Sequence, residues 1–406
     1  MTNRVEPRPS ETSRSKPEVQ TAPQRPVWLT EAFPELRQGP PWVMEEMIAA
    51  EPALVDPILS NSKAGALADL VRAAYDAGAP IVTTGCGTSE HGALAVACLL
   101  ETALSRLGAP RGRVESRQAF DALLEPREGG VLIAVSHGGA TAATVEAMRA
   151  ASAAGGHTIL FTAKQDTPGG RLADHLFVTP LADRSWCHTV AYVSAIIAGA
   201  AVAGALCGEK LDAAQLHDYL SALSGLDGAA GIAFPLAHCS RMIVTGLGPD
   251  LVSARELALK IEEGARMPAT AIQLETLLHG HFGAIDGHAG IIFLLCSGEG
   301  GTRRDRRARF AAEALGRIGA RCGAIVGGRP DFPDSVTDAG RITLPPYPAQ
   351  GPVQALTMTL TASAVALQRL TVALAHERGC NPDLIRREEE AYRDAARIAA
   401  RGFPAG

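Results

Sequence analysis

The feature that most constrains this 406-residue chain is an internal repeat. Ile81-Val-Thr-Thr-Gly-Cys-Gly87 and Met242-Ile-Val-Thr-Gly-Leu-Gly248 share one layout, a β-branched run entering a G-x-G turn and then a helix-forming stretch. Their final glycines lie 161 residues apart. The next landmark pair, Ser136-His-Gly-Gly139 and Ser297-Gly-Glu-Gly300, has the same offset of 161. One offset at two landmarks argues for a duplicated unit. Short β-branched runs alternate with long Ala/Leu stretches, the pattern of parallel βαβ units. The strand candidates are 80–84, 130–135, 158–162 and 176–179 in the first half, and 241–245, 290–295, 323–326 and 341–344 in the second. The expected fold class is α/β, with two tandem open parallel sheets, each flanked by helices. Ligands of such sheets bind beyond the carboxyl ends of the strands, where both turns lie.

Composition sets the outer limits. Residues 1–40 are rich in Pro, Ser, Glu and Arg without apolar periodicity, and are expected to be a disordered tail without a signal peptide. The expected units are then 41–222, 223–381 and a C-terminal tail, 382–406. A net charge of -5 argues against nucleic acid as a partner. The run Arg303, Arg304, Arg306, Arg307 and Arg309 fits the solvated side of a helix. The 8 cysteines include no CxxC pair, so neither a metal pair nor a disulfide scaffold is expected. Val190–Leu206 is mostly Ala and Gly and is broken by Ser194. It reads as a helix buried on several sides rather than a bilayer span, which points to a cytoplasmic protein with no membrane partner.

The chemistry gathers at the strand ends. Gly85-Cys86-Gly87-Thr88-Ser89 combines backbone freedom, hydroxyl donors and the start of a helix. Ser136-His137-Gly138-Gly139-Ala140-Thr141 supplies further hydroxyls at a second helix start. Either turn alone is an ordinary helix cap. The pair, at consecutive strand ends, suits a small anion such as a phosphate monoester. On the helix after the second G-x-G turn, Glu256, Lys260 and Glu263 fall within about 60° of one face. Glu256 and Lys260 can be a plain salt bridge. The spacing leaves Glu263 without a local cation, hence as the candidate general base. His279, beside a glycine at a likely helix end, is either a structural histidine or an acid–base group. A zinc site from His279, His281 and His288 lacks the H-E-x-x-H geometry, and no metal or other cofactor is expected.

These landmarks resemble the SIS (sugar isomerase) family, and more closely the double-SIS isomerase portion of glucosamine-6-phosphate synthase, from about Trp42 to Asn381. The segments that carry the likeness are Gly85-Cys-Gly-Thr-Ser89, Ser136-His-Gly-Gly-Ala-Thr141, Ala254-Arg-Glu-Leu-Ala-Leu-Lys-Ile-Glu-Glu263 and Leu278-His-Gly-His-Phe-Gly-Ala-Ile-Asp286. The resemblance implies flavodoxin-like three-layer domains. It implies phosphate binding by Ser89, Ser136 and Thr141, and Cys86, Gly87, Thr88, His137 and Gly138 of the same turns are expected to line the substrate site. Glu263 matches the base that shuttles a proton between C1 and C2. His279 matches the ring-opening histidine, delivered across a homodimer. Lys260 and Glu256 match polar residues lining the site, and Thr189 a threonine near the sugar. Trp186 and His188 fall near the expected sugar end.

The departures matter as much. Residue 2 is Thr where the synthase has its nucleophilic cysteine, so glutamine hydrolysis is not expected. Gly138 stands where the family turn has a second serine, His137 replaces a glutamine and Ala140 a glutamate. No lysine follows Lys260, so the terminal lysine that forms an imine with the ketose has no counterpart; Arg386 and Arg387 stay protonated. The expectation is an aldose–ketose isomerase or an amino-sugar phosphate deglycase or deaminase. The rivals are a non-catalytic sugar-phosphate sensor and an aminotransferase half that uses free ammonia.

Overall fold

The short β-branched runs form strands whose residues are buried on both faces, as in Ile81–Gly85, Val131–Val135 and Ala289–Leu295. Only a parallel sheet covered by helices on both sides buries such runs completely. In the computed structural model, which describes residues 35–403 apart from 227, 299–302, 329–331 and 349, the runs assemble into two five-stranded sheets. The first holds β1 (Ile81–Gly85), β2 (Val114–Gln118), β3 (Val131–Val135), β4 (His157–Thr162) and β5 (His175–Val178), in the order β2-β1-β3-β4-β5. The second holds β6 (Arg241–Gly246), β7 (Ala269–Gln273), β8 (Ala289–Leu295), β9 (Arg321–Val326) and β10 (Gly340–Thr343), in the order β7-β6-β8-β9-β10. Every pairing is parallel. The repeat read from two landmarks is therefore a repeat of whole topology. Each order reverses direction once, between β1 and β3 and between β6 and β8, and these reversals are the ligand-binding switch points of such sheets.

Eight of the ten strands fall where the β-branched runs place them, to within about two residues. The two without a sequence candidate, β2 and β7, are equivalent edge strands. Their side chains are mostly half-buried, so neither carries the apolar run that marks an interior strand.

The Ala- and Gly-rich helix Val190–Cys207 is buried along almost its whole length, as its composition suggests. It lies against the helix Thr88–Arg106, and glycines permit the approach. A Cβ on Gly92 would sit 2.9 Å from Ala195, and one on Gly199 would sit 2.8 Å from Val96. The helix Pro352–Glu377 packs on both of the major helices that follow a switch point, Thr88–Arg106 and Pro249–Lys260. Both Val190–Cys207 and Pro352–Glu377 are long and apolar enough to cross a membrane, and both are 89% buried inside this fold.

The tail assigned to residues 1–40 lies outside the described residues as far as residue 34. Its last part is tied down, because Arg37 pairs with Glu46 at 2.6 Å and its carbonyl accepts from Asn381 at 3.1 Å. The C-terminal tail is anchored as well: the Asp383 carboxylate accepts from the amides of Val43 and Met44, capping the Val43–Ala50 helix. Along the arginine run, Arg303, Arg306 and Arg307 are solvated as expected. Arg304 turns inward.

Candidate active site

The first switch point carries the two hydroxyl-bearing turns. Gly85 must be glycine, since a Cβ there would lie 2.5 Å from the backbone of Ser89. Gly87 has a positive φ of 58° and launches the Thr88–Arg106 helix directly out of β1. After β3, the Ser136 hydroxyl donates to Thr141 Oγ1 at 3.5 Å, and Gly139 takes φ 65° with Thr167 against it. Ser89 is half-buried, while Gly138 and Thr141 face solvent. These groups form an open cradle at adjacent strand ends.

Three turn residues point elsewhere than the simple nest reading suggests. Cys86 Sγ faces the edge strand, accepting from Gln118 at 3.6 Å and lying 3.7 Å from Thr144 Oγ1. His137 is buried, and its Nε2 accepts the Asp183 amide at 2.7 Å, so that atom cannot serve a ligand. Burial pushes the imidazole down to about 4, and the nearby Lys164 charge adds to this. Thr88 turns its hydroxyl towards the second half, donating to Glu256 Oε1 at 3.1 Å and accepting from Lys260 Nζ at 2.8 Å.

That contact joins the halves. Glu256 and Lys260 come from the helix Pro249–Lys260, which continues into one π-helical turn, Ile261–Ala265, carrying Glu263. A π turn widens the helix and re-aims its side chains, a frequent feature of functional sites. Gly264 allows this turn to press on Thr371 and Cys187, which a Cβ would meet at 2.8 and 3.5 Å. The expectation that Glu263 lacks a cation is corrected here: Lys260 Nζ donates to Glu263 Oε2 at 2.6 Å and stands 3.4 Å from Glu256. Glu256 takes a second partner instead, His91 Nδ1 at 2.7 Å. His91 is missed by the motif reading. Its signal is the spacing of three residues from Thr88, which puts both on one face of the helix start.

The electrostatics follow from burial. The Lys260 side chain is 0% exposed, yet its ammonium is held above the ordinary lysine range, because two carboxylates outweigh the burial that would lower it. Burial would raise Glu256, but Lys260, His91 and Thr88 hold it below the usual carboxylate range. Glu263, with 21% of its side chain exposed, is raised by burial, against the pull of Lys260. It is the carboxylate of the set with solvent access and a raised proton affinity.

The loop after β5 closes the other side. Asp183 accepts from the amides of Ser185, Thr189 and Ala191 at 3.1, 2.6 and 3.3 Å, which fixes the start of the Val190–Cys207 helix. Burial raises its carboxyl to about 6. Thr189 is buried there, with its carbonyl accepting from Gln368. His188 is pushed down to about 3 by burial and the Lys260 charge, and its ring centroid lies 5.7 Å from that of His137, the two rings tilted by 54°. Arg387 lies 4.9 Å over the Trp186 ring.

His279 stands apart. It follows the short helix Leu274–Leu278, is 72% exposed, and its Nε2 lies 3.1 Å from Glu275, which also pairs with Arg307. Among the described residues its side chain pairs with Glu275 and with none of the turn or helix residues named above.

Comparison with known proteins places this geometry. Residues 75–207 match the SIS domain model. No curated protein matches the sequence. Among solved structures, the chain is similar to the C-terminal domain of glucosamine-fructose-6-phosphate aminotransferase from Francisella tularensis, with TM-score 0.67 and 18% identity over 86% of this chain and 99% of that one. It is similar to tagatose-6-phosphate ketose/aldose isomerase from Escherichia coli, with TM-score 0.69 and 18% identity over 87% and 97%. It is also similar to glucosamine-6-phosphate deaminase from Thermotoga maritima, with TM-score 0.61 and 17% identity over 84% and 96%. At these identities the structural likeness is one of fold, and it spans both sheets. Residues 75–207 thus match a SIS domain, and the two-sheet fold along the chain is the fold of the solved structures named above.

Proposed function

We propose that this protein is an enzyme of sugar-phosphate chemistry, an isomerase or an amino-sugar phosphate deglycase or deaminase, that moves a proton between C1 and C2. The observation that carries the reading is the Lys260 ammonium, which donates both to Glu263 and to Thr88 at the first switch point. The acid–base group of the second half thus sits against the cradle of the first. In the proposed cycle the anionic end of the sugar rests on Ser89, Ser136 and Thr141. Glu263 takes the proton alpha to the carbonyl and returns it to the neighbouring carbon, and Lys260 stabilises the enolate oxygen. His279 of the partner subunit opens the ring, which gives its exposed imidazole a task and makes the working unit a homodimer. In the deglycase or deaminase version the proton shift turns the amine-bearing carbon into an imine, which water hydrolyses to a carbonyl and the free amine; in the isomerase version the enediol is reprotonated to the other carbonyl sugar.

The resting ion pair between Lys260 and Glu263, together with Gly138, also fits a non-catalytic receptor that binds the same sugars. One experiment separates the two. Hexose 6-phosphates and amino-hexose 6-phosphates are incubated with the protein in D2O, and NMR follows deuterium at C1 and C2 and release of amine. Deuterium entry is expected for at least one sugar, and Glu263→Gln is expected to slow it by about 10²–10⁴-fold while leaving binding intact. Binding without exchange would establish the receptor.

A further inference from the structure

The cradle lacks a charge. Neither turn contains Lys or Arg, Gly138 offers no hydroxyl, and His137 is withdrawn into a bond with the Asp183 amide. We propose that Lys164, on the loop after β4, supplies the positive charge for the anionic end of the substrate; this rests on the sugar-phosphate reading above.

The backbone fixes Lys164 in place. The His137 carbonyl accepts from the Ala163 amide at 3.0 Å and from the Thr162 hydroxyl at 3.1 Å, and the Gly139 carbonyl accepts from Gly169 at 2.9 Å. The Lys164 carbonyl accepts from both Thr162 and Thr167, each at 3.2 Å, and comes so near Gly139 that a Cβ there would lie 3.1 Å from it. Residue 164 is therefore held beside the 136–141 turn, at the next strand end of the same switch point. The side chain is exposed and makes no ion pair among the described residues. The other charges of this loop neutralise each other, Arg171 holding Asp166 at 2.8 Å. The Lys164 charge is felt inside the turn, where it helps to keep His137 neutral. Gly138, adjacent, has nothing within 4 Å of where its Cβ would be, so an anion can approach from that side. An exposed cation beside such a nest adds attraction without the desolvation cost of a buried charge.

The test is calorimetric titration of glucose 6-phosphate, fructose 6-phosphate and glucosamine 6-phosphate, each against its unphosphorylated sugar, at low and high salt. Lys164→Ala is expected to weaken the phosphorylated ligands about tenfold and to flatten their salt dependence. Lys164→Glu should weaken them further, Lys164→Arg should retain them, and the unphosphorylated sugars should be indifferent to all three. Equal affinity and equal salt dependence in Lys164→Ala and the unsubstituted protein would overturn the assignment of Lys164 alone. Failure of the unsubstituted protein to bind any of the three phosphates would overturn the sugar-phosphate reading and this assignment with it.

Discussion

The two switch points are built alike and filled differently. At the offset of the repeat, Ser89 in the first half corresponds to Asp250 in the second, and Ser136 to Ser297. Asp250 is buried, and its carboxylate accepts from the amides of Cys296 and Ser297 at 3.2 and 2.8 Å. Arg304 completes the arrangement, 3.3 Å from the same carboxylate and 2.7 Å from the Ser297 hydroxyl. The second turn thus holds an anion supplied by the chain itself. The first, with the short Ser89 at that place, offers no carboxylate from the corresponding position. The two turns are thus filled differently, and in the proposed function ligand binding falls to the first and structure to the second. In the proposed function the second half then contributes chemistry from farther along its helix, through Lys260 and Glu263.

The largest expected effect comes from making the first nest like the second. Ser89→Asp places a carboxylate in the first turn of the Thr88–Arg106 helix, where the helix dipole tolerates it, so folding should survive. Hexose 6-phosphate binding should fall by at least about 100-fold, since like charges at one site cost several kcal/mol. Calorimetric titration measures this directly, and retained affinity would show that the anion does not sit at this switch point.

The reverse change probes the second nest. Asp250→Ser removes the buried acceptor of two amides and the partner of Arg304, and should lower stability by roughly 2–3 kcal/mol in urea denaturation. If the vacated nest resembles the first, added sulfate should recover part of the loss by binding the folded state. An unchanged denaturation midpoint would mean that the Asp250 contacts contribute nothing net, and the contrast between the halves would lose its energetic basis.

How much of this is legible in the amino-acid sequence differs between fold and site. Interior strands announce themselves because a sheet buried on both faces requires unbroken β-branched runs, and the repeat offset links their order. The edge strands β2 and β7 bury one face at most, so Val114–Gln118 and Ala269–Gln273 read as polar chain. Most of the residues that come together at the candidate site are legible as a group, His91 excepted, but their pairing is not. Helical spacing predicts which of Glu256, Lys260 and Glu263 share a face; it does not reveal the π turn that delivers Glu263 to Lys260, nor the His91 that relieves Glu256 of its dependence on Lys260. The withdrawal of His137 is equally invisible, because its partner is the amide of Asp183, 46 residues away.

Gly138 gives the smallest effect and the finest test of the comparison. The glycine faces solvent, its φ is not in the left-handed region, and nothing lies within 4 Å of the position a Cβ would take, so a serine there meets neither steric nor backbone strain. Gly138→Ser returns one hydroxyl donor to a turn whose other donors are Ser136 and Thr141. One hydrogen bond to a charged acceptor contributes about 1.5 kcal/mol net, so hexose 6-phosphates should bind roughly tenfold more tightly. The unphosphorylated sugars should not change, because the gain is at the anionic end. If the proposed Lys164 contact is already present, the gain should be larger in Lys164→Ala than in the unsubstituted protein, as the two donors then compete for the same oxygens, and a double-mutant cycle would return a coupling between them. Independent, additive effects would place the hydroxyl and the ammonium on different parts of the ligand.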